Sequence, residues 1–73
     1  MRKPLYNPDK YTYRVIWSEE DQEHVGLCAE FPSLSHLAKT GQAALAGIMK
    51  LVGAVISEMS RSREVIPEPL SLR

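Results

Sequence analysis

A three-stranded antiparallel sheet with one long helix packed on one face, an α+β fold, is what this sequence predicts, and three observations predict it. Two runs, beginning at Tyr11 and Val25, alternate apolar and polar residues on either side of an acidic stretch. A shorter alternation covers Leu34 to Lys39. From Thr40 to Met59 the period changes, and apolar residues recur three and four apart, as on one stripe of an α-helix.

The chain opens with residues 1–10, which carry two prolines, an Asn-Pro turn signal and no period of either kind, so they read as a flexible arm. In the first strand Tyr11, Tyr13, Val15 and Trp17 share one face, and Thr12, Arg14, Ile16 and Ser18 the other. Glu19-Glu20-Asp21-Gln22-Glu23 is a solvated acidic turn. Val25, Leu27, Ala29 and Phe31 then alternate with Gly26, Cys28 and Glu30 in a second strand, and the pair forms a hairpin. Pro32 lacks an amide donor and ends that strand before the third, from Leu34 to Lys39, begins.

In the helix, Leu45, Ile48, Val52, Val55, Ile56 and Met59 form the apolar stripe, with Thr40 as its N-cap. Burying each large stripe residue returns roughly 2 kcal/mol. Gly47 and Gly53 each cost about 1 kcal/mol against alanine, so they are expected where the helix comes closest to the sheet or to another subunit. Arg61 and Arg63 complement the helix dipole at the C-terminal end, where no glycine marks the stop. Pro67 and Pro69 forbid helix beyond it and leave an extended tail that adds at most a short fourth edge strand. The expected organisation is an arm over residues 1–10, one domain over 11–70 and a tail over 71–73.

Seventy-three residues make a core that is only marginally sufficient, and a two-layer domain leaves its second sheet face uncovered. A homodimer or homotetramer is therefore expected, with Trp17, Leu45, Ile48, Val52, Val55 and Ile56 as core or oligomer residues. Nine basic residues balance nine acidic ones, so no overall field draws the chain to nucleic acid. No run reads as a membrane span by inspection. A single cysteine and an N-terminus without a signal-peptide core point to the cytoplasm.

Catalysis finds little support. Glu19, Glu20, Asp21 and Glu23 crowd one loop instead of converging from separate strands, as a two-metal centre requires, and clustered charge of this kind marks a solvated surface. His24, Cys28 and His36 follow no metal-ligand spacing, and a mid-strand cysteine behaves as a small buried hydrophobe. Gly41, Gly47 and Gly53 do not form a phosphate-binding loop. Arg14 beside Tyr11, Tyr13 and Trp17 suggests an RNA-stacking platform, but those aromatics share a face with Val15 and read better as the surface the helix covers. No cofactor is expected.

The order of these segments is more informative than any one of them. Tyr13-Arg14-Val15 leading into Trp17-Ser18-Glu19-Glu20-Asp21, then Val25-Gly26-Leu27-Cys28-Ala29-Glu30-Phe31-Pro32-Ser33-Leu34-Ser35, resembles the first strands of the HicB-like antitoxin family. Ala38-Lys39-Thr40 with Ala43-Ala44-Leu45, and Ile66-Pro67-Glu68-Pro69, are similar to that family's threonine-capped helix and closing Ile-Pro-x-Pro. The resemblance covers about Tyr11 to Leu70. It implies a partial ribonuclease H-like domain that is not an enzyme, binds a small ribonuclease toxin of the HicA type and self-assembles. In full-length members DNA binding belongs to a C-terminal domain that this chain, ending at Arg73, is expected to lack, so no DNA binding by this chain alone is expected. Partner binding is then expected at the acidic residues Glu19, Glu20, Asp21, Glu23 and Glu30. The alternative is an orphan oligomerisation or ligand-sensing domain.

Overall fold

Alternation in the two N-terminal runs becomes a hairpin, and the computed structural model, which describes residues 6–72, continues it into a third strand. The elements run β1 (Tyr13–Ser18), β2 (Glu23–Cys28), β3 (Ser35–Ala38) and α1 (Gly41–Arg61), flanked by short 3-10 helices at Pro8–Lys10 and Leu70–Leu72. The sheet is antiparallel in the order β1-β2-β3, and α1 packs against it. This is the predicted α+β architecture.

The register fixes which residues share a face. Tyr13 lies opposite Cys28, Val15 opposite Gly26 and Trp17 opposite His24, while His36 and Ala38 of β3 join the same side. That side meets α1. The two come close at Gly26, where an added Cβ would run into the Ala44 carbonyl and come within 2.8 Å of the Ile48 methyl. Gly47 lies beneath the His36 ring, and Gly53 faces Pro8.

Thr40 caps α1, its hydroxyl accepting from the Ala43 amide at 3.0 Å. The fully covered stripe is Ala44, Ile48, Val52 and Ile56, with Leu51, Val55 and Met59 along its margins. Leu45, expected in the stripe, is instead 39% exposed. Ala44, fully buried, holds the inward position, its backbone carbonyl lying against Gly26. The stop is sharper than the sequence suggests. Arg63 adopts φ 64°, its amide bonds to the Ser60 carbonyl, and the Glu64 amide reaches back to the Met59 carbonyl at 2.9 Å, which closes a Schellman motif without glycine.

α1 has 21 residues, about 31 Å at 1.5 Å per residue, and therefore overshoots the six-residue strands. Its N-terminal half covers the sheet. Tyr11 and Phe31, buried with ring centroids 5.5 Å apart, extend the same core beyond the strands alongside Val52 and Ile56, and Tyr6 and Ile66 pack against it. Residues 6–10 thus differ from a loose arm: Tyr6 joins the core, and the Asn7 side chain caps the 3-10 helix at the Asp9 amide. The remainder of the expected arm, residues 1–5, and residue 73 lie outside the described residues.

Among the described residues the tail adds no fourth strand. Pro67 and Pro69 offer no amide donors, and side chains hold the tail in place of a ladder. The Tyr11 hydroxyl donates to the Pro67 carbonyl at 2.6 Å, the Leu70 amide donates to Glu30 at 2.8 Å, and the Ser71 hydroxyl donates to the Lys10 carbonyl at 2.6 Å.

Candidate functional site

Among the described residues no element covers the side of the sheet away from α1. Three paired positions, Ile16, Val25 and Leu37, place an apolar row straight across all three strands. Val25 is half-buried between its neighbours, while Ile16 and Leu37 remain 44% and 45% exposed. The next row is Arg14, Leu27 and Ser35. There Arg14, Leu27, Ala29 and Pro32 border a depression of about 280 Å³. A contiguous apolar surface with one arginine at its margin has the chemistry of a docking surface.

At the opposite end of β1 and β2 the acidic turn Glu19–Gln22 projects into solvent. It is an ordered structure. The Trp17 indole N–H donates to Glu19 at 2.8 Å, the Gln22 amide nitrogen donates to the Glu19 backbone and carboxylate, and the Ser18 hydroxyl donates to Asp21 at 2.9 Å. The bonds from Trp17 and then Gln22 hold the Glu19 carboxyl below the usual carboxylate range. Glu19, Glu20 and Asp21 thus place three carboxylates at one end of the strands, with Glu19 and Asp21 held by hydrogen bonds. The other two expected partner residues are engaged elsewhere. Glu23 pairs with Lys39 at 3.2 Å.

Glu30 is tied within the chain as an internal anchor. Its carboxylate accepts from the Thr12 amide at 3.0 Å, the Thr12 hydroxyl at 3.1 Å, the Leu70 amide at 2.8 Å and the Cys28 thiol at 3.4 Å. Burial pushes its pKa up, but the bonds from Leu70 and Thr12 together outweigh that effect and leave it lowered. The reason the sequence misplaces it is that β2 ends at Cys28, which leaves Glu30 in the turn between β2 and β3.

Trp17 is corrected as well. It lies on the α1 side of the sheet but is 48% exposed. Gly41, the first residue of α1, already sits over Val15 and His24, so the helix begins short of Trp17. The indole instead packs edge-on to His24 with centroids 5.1 Å apart. Cys28 is buried, and burial pushes its thiol pKa up. Among the described residues no group of three His, Cys, Asp or Glu side chains is placed to share a metal ion.

α1 itself meets the length and composition of a membrane-crossing helix, contrary to the reading by inspection, and only 22% of that apolar window is buried. A core helix of a soluble domain meets the same criterion. Between Gly41 and Ser57 its only charge is Lys50, so its outer side, with Leu45, Ala46 and Ala54 exposed, is a second apolar surface.

Sequence reasoning passed over Ile16, Leu37 and Gly26. Ile16 alternates with polar residues and was assigned to the solvent side, yet a β-branched apolar residue between Arg14 and Ser18 is itself a signal of a second apolar face. Comparison with protein-family models, with curated proteins and with solved structures finds no match.

Proposed function

We propose that this chain is a non-catalytic partner-binding module, an antitoxin-like domain that neutralises a small basic ribonuclease of the HicA type in the cytoplasm and also self-associates as a homodimer or homotetramer. The observation that carries this reading is the apolar row Ile16–Val25–Leu37 across an uncovered sheet face, with the carboxylates of Glu19, Glu20 and Asp21 at one end of the strands. Apolar contact supplies affinity, and the negative charge steers a basic partner and sets its orientation. The unpaired, buried Cys28 suits a reducing compartment.

Calorimetry with a purified HicA-type toxin tests the reading. A one-to-one or two-to-two complex is expected, weakened at least tenfold by Ile16→Asp and bound more slowly in high salt. No heat of binding at low salt, or full binding by Ile16→Asp, sinks it. The outer side of α1 favours the second reading, an orphan oligomerisation domain: an oligomer in sedimentation that Leu45→Glu dissociates, together with no toxin binding, selects it.

A further inference from the structure

We infer that the cleft between the β3 edge and α1 is a strand-addition site for an extended, acidic segment of a partner protein. β3 is the last strand of the sheet among the described residues, so one side of its backbone has no strand neighbour there, and Ser35, His36 and Leu37 are exposed. An unpaired strand edge is a template for another strand. Beside it lies a cleft of about 290 Å³ lined by His36, Gly47, Lys50, Leu51 and Ala54. Gly47 is what lets the cleft exist in this form, because any side chain there would displace the His36 ring that forms one wall.

The chemistry of the cleft selects the occupant. Its floor is apolar, and its polar groups are an imidazole and an ammonium with no carboxylate among them. Among the described residues Lys50 makes no ion pair. A strand added to β3 directs alternate side chains to opposite faces. One set falls toward α1, where acidic side chains meet Lys50 and His36. The other set continues the row Ile16–Val25–Leu37 on the open face, where apolar side chains fit. The expected sequence is therefore an alternation of acidic and apolar residues. A second copy of β3 fits less well, since it would bring a second Lys50 to the same seam. The inference rests on the β3 edge and its cleft, whereas the toxin-docking reading rests on the open face, so it stands if that reading fails.

The probe is a capped heptapeptide, Thr-Val-Glu-Val-Glu-Val-Thr, compared with its Lys-for-Glu counterpart on the isotope-labelled full chain. The Glu peptide is expected to slow amide exchange at residues 35–38 at least tenfold and to bind at least tenfold tighter than the Lys peptide. Lys50→Glu, at an exposed helical position filled by an equally good helix former, is expected to reverse that preference with unchanged circular dichroism. Equal binding of the two peptides, protection confined to the β1 edge, or a preference unchanged by Lys50→Glu overturns the inference. So does a dimer paired through β3 that the Glu peptide fails to dissociate.

Discussion

The two halves of α1 rest on different physics. Under the N-terminal half, helix and sheet meet backbone to side chain, with Gly26 beneath Ala44 and Ile48 and with Gly47 beneath His36. Toward the C-terminal half, two irregular segments flank Tyr11 and Phe31 and are tied by hydrogen bonds to Glu30 and from the tyrosine hydroxyls. One half is specified by shape, and the other by a carboxylate and two phenols. The lesson is that a small domain extends its core beyond its sheet by using polar side chains as ties, at the cost of making that part sensitive to pH.

The comparison breaks first at the sheet half. Ile48→Ala empties the centre of the stripe and is expected to cost about 4 kcal/mol, read as a fall in the urea midpoint that is the same at pH 5 and pH 8. Gly26→Ala, whose Cβ has no space beneath Ala44, is expected to cost roughly 3 kcal/mol by overpacking, again independent of pH. A neutral response to Gly26→Ala would mean that strand and helix can separate freely.

The tied half should answer differently. Glu30→Gln is expected to cost about 1.5 kcal/mol through weakened bonds to Thr12 and Leu70. Because the Glu30 pKa is lowered in the folded chain, its contribution is present above the ordinary carboxylate range and is lost as pH falls through the lowered value. Protection of the Thr12 and Leu70 amides, taken relative to their intrinsic exchange rates, should therefore fall in acid in the parent and show no such step in Glu30→Gln.

At the alkaline end Tyr11 and Tyr13 matter. Burial first, then nearby acidic groups for Tyr11 and Cys28 for Tyr13, push both hydroxyls up to about 12. A raised folded pKa gives stability that is complete below the unfolded value near 10 and lost as pH rises toward 12. Tyr11→Phe removes the bond to Pro67 and is expected to cost about 1 kcal/mol while flattening part of the alkaline limb in a pH-dependent melt. The smallest effect is of opposite sign. Arg63→Gly relieves a left-handed backbone at the helix stop and should stabilise by about 0.5 kcal/mol, the relief being partly offset by the entropy of glycine.

Periodicity made the sheet and helix legible, because a period of two and a period of 3.6 are local properties of the chain. Thr40 was legible as a cap for the same reason. Glu30 was not, since its partners Thr12 and Leu70 are 18 and 40 residues away and a lone carboxylate after a strand carries no period. Leu45 against Ala44 was a choice of bulk over fit, and Ala44 is the residue whose backbone carbonyl lies against Gly26. Trp17 was misread because alternation gives the face of a strand and not how far the covering helix reaches. Of the candidate site, the acidic turn was legible from composition. The open face was half legible: its existence follows from a two-layer fold, and its apolar row needs the three-strand register that aligns Ile16, Val25 and Leu37.

The Ser71 to Lys10 hydrogen bond also has a topological meaning. The described chain enters and leaves the domain at one pole, the end where Thr12 and Glu30 meet, while the acidic turn occupies the other. Joining those two strands of chain by a short linker and opening the loop at Glu20 should give a circular permutant with the same sheet order. In that permutant the acidic turn becomes a pair of free ends, and charge steering can be altered there by residue additions that leave the packing of α1 untouched.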